Sequence, residues 1–592
     1  MLAIRDIHVD RAAYVIDTGQ VAQRLEAAIA QAPQGRPRKL SLRTWLIGAY
    51  LAIEQRGSFK TTTIHEVLTS AISLDKQHEL GVRSSNADGS STVLGKDKFD
   101  YIARWLPKWL ACTPAAADAY KLDIDQTEMQ RRHLGLQHAL DGLLEASLVT
   151  RDGSWYALDG SGTWTWGKSK WVIKDADDVR TREDVIDTAP STHRVREEDE
   201  PSAIDSTSAD PAGPPGDPPA ADGAPPPLTP EGKSRKRKDN YDPDAAFGSK
   251  TSKAGKRESY YGYVIDAAIR VTQPGQPKQP VVLEQMVVSP ASTDVVAPTL
   301  KMLDRLMATP GGVTDIVVDR HYSYKRVDRW ADELRRRGIS QHFDLRNSNE
   351  QGFRDINGMR LAAGWMHCPA TPDELGTIER PALGASGAEW AEFERRIAER
   401  RTWAMDRHER VNANGRTRWT CPAIAGSRGC PLRTGTVDVA KQHGLPIVDS
   451  PPDAATSPKC CTNASGIVSD STEMTRKHQQ PYYWGSDEWQ VAYDLRTYVE
   501  GFFGSLKNPD TEGVRRGFTK FVGLPMTSLG LSLAAAVCNV RHQRRFWADD
   551  PARRDHPLLA QEPTFHGWRE LTVDELQKSD SAARQPTTEA AA

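Results

Sequence analysis

Through residues 1–150 the apolar positions recur at three- and four-residue intervals, the period of a helix with one buried face. Gln20 to Ala32 and Leu40 to Gln55 show it, the second through Leu42, Trp45, Leu46, Tyr50 and Leu51, with Ser41 placed to cap that helix. Lys96 to Ala111 follows with Phe99, Ile102, Trp105 and Trp109, and then Glu128 to Val149. An all-α N-terminal domain is expected.

From Ser154 the period changes. SWYALDGSGTWTWGKSKWVI alternates or runs apolar and reads as a hairpin or two strands, with Asp159 ending the first strand just before Gly160-Ser161-Gly162. YYGYVIDAAIRV and PVVLEQMVVSP are further strands. Ser292-Thr293-Asp294 caps a helix over Val295 to Met307, and Thr314 to Val318 is a buried strand with Asp319 at its end. A helix over Tyr324 to Arg337 and the strand ISQHFDLR come next. Strands interleaved with helices imply an α/β fold with a mixed sheet over residues 151–174 and 241–349. Residues 350–485, with a charged helix over Ala388 to Arg410, break this rhythm and read as an inserted subdomain. Residues 486–550 return to helices, an amphipathic one over Tyr493 to Lys507 and an apolar one over Pro525 to Trp547. A polar tail, 551–592, closes the chain.

Residues 175–240 are acidic and Ser/Thr-rich, then Pro-rich, then basic (KSRKRK). Such a stretch buries too little apolar surface to offset its ordering entropy, so a disordered insertion is expected. The 592 residues exceed one core. A net charge of −2 excludes a uniformly basic nucleic-acid coat but not local basic stripes. Seven cysteines argue against a secreted disulfide framework. The N-terminus has no apolar leader pattern and no run of eighteen apolar residues occurs, so a soluble, cytoplasmic protein is expected.

The candidate chemistry lies in YDLRTYVEGFFGSLK. Read as one helix, it puts Tyr493, Arg496, Glu500 and Lys507 on or near one face and Tyr498, Phe502, Phe503 and Leu506 on an apolar side. A carboxylate flanked by Arg, Lys and a phenol suits a phosphodiester with divalent cations; the simpler alternative is an i,i+4 ion pair of Glu500 with Arg496. Asp159 and Asp319 are the other acids at strand ends, and Asp266, ending YGYVID, is the rival to Asp159.

Y-x2-R-x3-E-x6-K resembles the Y-R-E-K signature of DDE-type insertion-sequence transposases, and LDGSG and VVDRHYS resemble that family's first two acidic motifs. The resemblance spans roughly Ser154 to Trp547. It implies an RNase H-like core with the first Asp on the first strand, the second on the fourth and the Glu on a helix after any insertion. It also implies catalytic, metal-binding Asp159, Asp319 and Glu500, with Asp159 bridging two Mg²⁺ ions (Mn²⁺ substituting). Tyr493, Arg496 and Lys507 would grip DNA phosphates. The implied activity is metal-dependent cleavage and strand transfer at terminal inverted repeats on double-stranded DNA, by at least a homodimer, in a bacterial cytoplasm. The long Pro-rich insertion and the large segment before the Glu depart from the family pattern. Rival readings are a domesticated, catalytically silent DNA-binding protein and a non-transposing RNase H-like nuclease. The N-terminal helices would bind DNA or dimerise. His321 and Tyr322 could line the site, and Trp164, Trp166, Trp484 and Trp489 are candidates for stacking a flipped base, each with a core role as the alternative.

Cys368, Cys421, Cys430 and Cys460 or Cys461 all fall in the inserted subdomain, with His367 as one more possible ligand. No C-x2–4-C knuckle is present, so scattered reduced thiols are expected ahead of a structural zinc.

Overall fold

The computed structural model describes residues 3–29, 38–167, 241–251, 257–345, 352–382, 384–409, 412, 414–453 and 457–560, and the backbone of 171–173 and 235–237. The expected disordered insertion therefore lies outside the described residues except at Arg235–Arg237, whose backbone pairs antiparallel with Trp171–Ile173. Most of the polar tail lies outside them too.

A six-stranded sheet organises the fold. Its central strand, β1 (Trp155–Trp164), pairs antiparallel with the long strand β3 (Arg257–Arg270). The far edge of β3 is shared by β2 (Ala246–Thr251) and β4 (Val282–Pro290), both antiparallel to it. On the other side of β1 lie β5 (Asp315–Val318) and then β6 (Ser340–His342), both parallel. The fold is thus mixed α/β, with helices on both faces of the sheet.

The two-residue period of the strands divides the core. Trp155, Ala157, Tyr263, Ile265, Ala267 and Ile269 pack on one side with the N-terminal helices. Tyr156, Leu158 and Ala268 pack on the other, against helix α3 (Val296–Met307). The N-terminal helices, among them α1 (Leu42–Arg56) and α2 (Gln126–Ala146), do not close a core of their own; they share one with the sheet. Ser41 caps α1 as expected, accepting from the Thr44 N–H at 3.0 Å. A small hairpin, Arg83–Ser85 with Ser91–Val93, departs from the all-α expectation. Its residues are polar and mostly exposed, so no apolar alternation marks it.

The last helix, α7 (Leu524–Phe546), joins the halves. Eighteen of its 23 residues are buried, because it is apolar nearly all round and has neighbours on every side. Asn539 on α7 acts like a piece of strand, accepting from the Leu283 N–H at 2.7 Å and donating to its carbonyl at 2.8 Å. Among the described residues, no helix is long and apolar enough to cross a membrane.

Two expected helices are shorter than their patterns. After β5 the chain makes a 3-10 turn, Arg320–Tyr324, and the following helix covers only Ala331–Arg336. Burial of Tyr322 against Trp330, with ring centroids 4.6 Å apart, diverts the segment first. In the subdomain, α4 spans Gly387–Trp403, started by a Ser386–Glu389 capping box. It stops where Asp406–Arg407 join a strand pair with Trp419 and Thr420.

Candidate functional site

Strand register brings the first two acids together. Leu158 of β1 lies opposite Val318 of the parallel strand β5, so the residues that follow, Asp159 and Asp319, stand side by side. The strand does not end at Asp159 as expected. β1 continues through Gly160-Ser161-Gly162 to Trp164, with each residue paired to β3. Glycines in a strand mark close approach as well as turns, and Gly160 shows why: a Cβ there would lie 3.1 Å from the Asp266 carboxylate.

The YDLRTYVEGFFGSLK segment is two helices. Tyr493 belongs to α5 (Asp487–Asp494), and α6 runs Thr497–Lys507. The link is tight, with the Arg496 N–H bonded to the Tyr493 carbonyl at 2.9 Å and the Tyr498 N–H to Leu495 at 3.2 Å. Thr497 Oγ1 takes the Asp494 carbonyl at 2.8 Å, ending α5 there. The break rotates Val499 into the core and leaves Tyr498 42% exposed, contrary to the single-helix reading. Phe502, Phe503 and Leu506 are buried as expected.

Freed from a continuous helix, Arg496 bridges two acids. Its Nη2 lies 2.6 Å from Glu500 Oε1 and its Nη1 lies 3.7 Å from Asp159 Oδ2. The i,i+4 pair is therefore real, and it is half of a larger contact. Glu500 is 54% exposed, against 25% for Asp159 and 22% for Arg496, so the site opens on the Glu500 side. Lys507, at the other end of α6, donates to Ser161 Oγ at 2.5 Å and to the Gly162 carbonyl at 3.4 Å. Tyr493 stacks on Trp489, with ring centroids 4.9 Å and planes 9° apart, and the Arg380 guanidinium lies 5.5 Å from its ring.

Electrostatics tie these groups into one site. Burial pushes the Asp159 carboxyl up to about 6; Asp319 and Glu500 push the same way, while the Gly160 N–H and Arg496 oppose them. Burial works against the Arg496 charge, but Tyr493, Glu500, Asp319 and Asp159 together raise its pKa above the ordinary value. Burial, then the charges of Asp344 and Asp319, push the Tyr493 phenol up to about 12. Five residues named from sequence thus meet in one place, and the sixth, Lys507, contacts the same strand at Ser161 and Gly162. Asp159 and Asp319 each also accept from the next backbone N–H, at 2.7 Å. Among the described residues no group of three or more His, Cys, Asp or Glu side chains is arranged to hold a metal ion.

Asp266 stands apart. It pairs with Gly160 across the strands but sits 3% exposed on the α3 side of the sheet, its Oδ1 without a hydrogen-bond partner. Burial, then the charges of Asp159 and Asp294, push its carboxyl up to about 7. Asp159, the acid that touches Arg496, is the one on the Glu500 side. Tyr322 is buried, with its hydroxyl 3.2 Å from Thr299, a structural role; His321 is exposed at the rim. Trp484 and Trp489 are core, at 1% and 0% exposure, whereas Trp164 and Trp166 are half-buried.

Sequence reasoning missed Asp242 and Asp244. Asp242 is fully buried and accepts from Tyr263 Oη at 2.7 Å, from Thr165 Oγ1 and from the Gly523 N–H at 3.1 Å. Asp244 takes the Leu524 N–H at 2.7 Å, so the two acids cap α7 from another part of the chain. Tyr-Asp-Pro-Asp was the available signal: polar residues in a stretch too short for periodicity.

The chain matches no family model, no curated protein and no solved structure.

Proposed function

We propose that the protein is a DDE-type transposase with an RNase H-like catalytic core. In this reading it cuts the terminal inverted repeats of its own insertion element and joins them to target DNA. The observation that carries the proposal is Arg496, one cation touching acids from β1 and α6 while strand register sets the third acid beside the first. The order supports it in part. The first acid lies on the first strand and the third on a helix after an insertion, while the second follows the fifth strand of the sheet, one later than the family order, because the short strand β2 precedes β3.

The residues fit Mg²⁺, with Mn²⁺ as substitute. All three offer hard carboxylate oxygens. Asp159 carries its charge against burial and two like-charged neighbours, a cost that a divalent cation lifts. Asp159, Asp319 and Glu500 are the residues that would hold the ions. Bound there, the ions would supply stabilisation of the charge that develops on the attacking and leaving oxygens of a phosphodiester.

The chain's own groups do the positioning. Arg496 neutralises Asp159 and Glu500 in the free protein, and a DNA phosphate offers its fork a bidentate partner instead. Lys507, held on the Gly-Ser-Gly stretch of β1, places a second cation along the same path. Tyr493, 9% exposed and fixed by its stack on Trp489, keeps a neutral phenol close to the charges of Arg496 and Asp319. On α6, Gly501 and Gly504 have nothing within 4 Å of where a Cβ would be, which leaves the helix surface open to a sugar-phosphate backbone. Joining two element ends calls for at least a homodimer at work, on the DNA of a bacterial cytoplasm.

The test is Mg²⁺-dependent cleavage of DNA carrying the gene's own flanks, wild type against Glu500→Gln. Breaks at the element ends that vanish in the variant while binding persists support the reading. Wild-type protein that binds the flanks and never cuts them with either metal overturns it.

A further inference from the structure

The inserted subdomain gathers cysteines that its sequence scatters. Cys368 follows a strand, Trp365–His367; Cys421 opens a short helical turn, Pro422–Ala425; Cys430 lies in the next loop; and Cys461 sits in Lys459–Thr462. All four line one small enclosed cavity of about 10 Å³, room for a single water-sized particle. Cys460 points elsewhere, buried in a cluster with Met359, Met366 and Trp419. His367 is turned away, its Nε2 2.7 Å from Tyr483 Oη.

Three of the four share one local design. Each is followed by proline: Cys368-Pro369, Cys421-Pro422 and Cys430-Pro431. Each carbonyl then accepts from the residue three along, Thr371 at 3.0 Å, Ile424 at 2.9 Å and Arg433 at 2.9 Å. This is a turn for which proline at the second position is preorganised. Burial raises the Cys368 thiol, up to about 12, and the Cys430 thiol, and in each turn the next backbone amide, Ala370 or Leu432, opposes that rise. Such a donor favours a thiolate over a thiol. A packing cysteine needs neither the turn nor the donor.

Charge makes the same demand. Arg428 and Arg433 line the cavity, buried at 7% and 9% exposure, each with an Nε–H that has no hydrogen-bond partner. The bonds they do make go to neutral oxygens: Thr402 Oγ1 for Arg428, and the Asn463 and Cys460 carbonyls for Arg433. Buried cations call for nearby negative charge. Four thiolates around one divalent ion carry two negative charges, matching two guanidinium groups. The surrounding core is also thin, a cluster of seven buried residues of which three are cysteines. Small cores of this kind are often stapled by a metal.

We propose that Cys368, Cys421, Cys430 and Cys461 bind one structural Zn²⁺ that ties together three separate segments of the inserted subdomain. The four thiols line the cavity without converging on a common point: among the described residues no group of three or more such side chains is arranged to hold an ion. Binding therefore turns the sulfurs inward across the cavity, exchanging four S–H protons for four Zn–S bonds.

Metal analysis of the full chain, purified without chelator, is the test. It should return about one zinc per chain, and the Co²⁺-substituted protein should show the sulfur-to-metal charge-transfer bands of a tetrahedral thiolate site. Cys421→Ser with Cys430→Ser should reduce the zinc to below about a tenth per chain. Should that variant fail to fold, the wild type serves alone: a mercurial titrating its thiols should release zinc in step. Wild-type protein without zinc whose cysteines all react as free thiols, or are found as disulfides, overturns the proposal. So does zinc that the double substitution leaves in place.

Discussion

The molecule holds two clusters of potential metal ligands, built on opposite principles. Asp159, Asp319 and Glu500 are hard donors on or at the end of regular elements, open on one side, and two of them share a resident cation, Arg496. Cys368, Cys421, Cys430 and Cys461 are soft donors, three of them on Cys-Pro turns, lining a small cavity beside cations that hydrogen-bond no carboxylate among the described residues. An exchangeable site needs a stand-in charge and an open side; a permanent one needs neither. The pairing of each site with Arg, satisfied in one and waiting in the other, is what would separate the proposed working centre from the proposed staple.

The largest expected effect separates the two outright. Glu500→Gln should lower end cleavage by at least about 10²–10³-fold, as losing one preorganised charge-stabilising group does. Zinc content and thermal unfolding should be unchanged, and a parallel loss of zinc would break the distinction. Next comes the mirror-image change. Cys421→Ser with Cys430→Ser should destabilise the subdomain by about 2–5 kcal/mol, the range for removing a cross-link from a small core, read as earlier proteolysis within residues 350–485. Brief chelation followed by Mg²⁺ should restore cutting in the wild type, whereas zinc released by a mercurial should not return when Mg²⁺ is added.

Arg496→Gln sharpens the account of the acid centre. Arg496 holds the Asp159 pKa down, so its loss should raise that pKa above about 6 and move the acidic limb of metal binding to higher pH. Metal titrations across pH 5–8 check it, and an unmoved limb would detach Arg496 from Asp159. The smallest effect concerns Asp266. Its carboxyl, raised to about 7 by burial, keeps a proton in the folded state that the unfolded chain releases near the ordinary value of 3.8. That contribution to stability is full below the ordinary value and is lost as pH rises through about 7. Asp266→Asn should therefore match wild type near pH 4 and exceed it at pH 8 by about 1–3 kcal/mol, the scale of one buried unsatisfied group. Denaturant midpoints at the two pH values decide it.

How legible this was in the sequence depended on the range of the signal. The strands and most long helices followed from periodicity, Glu500 and Arg496 from a spacing within one segment, and Asp159 and Asp319 from acids at strand ends and a family resemblance. What failed were features fixed by distant partners. Nothing local says that α5 stops at Asp494, since Thr497 and the packing of Val499 decide it. The strand through Gly160 reads as a turn until Asp266 is known to lie against it. The cysteines looked scattered because their spacing is long; the repeated Cys-Pro was visible, and only folding shows that three such turns face one cavity. Asp242 and Asp244 cap a helix that starts at Leu524, a relation no window along the chain contains.

The contact at Asp242 has a practical corollary. The chain leaves the sheet at Gly167 and returns at Asp242, where a Cβ on Gly167 would come within 2.5 Å of the Asp242 Cβ. Exit and entry share one doorway, held shut by Thr165 and Tyr263 on the Asp242 carboxylate. A domain whose own ends lie close together can be joined across this doorway without parting those contacts. The doorway is a place to splice in a reporter domain. It is also a place to divide the gene, leaving two fragments that can reassociate along the nine paired positions of β1 and β3.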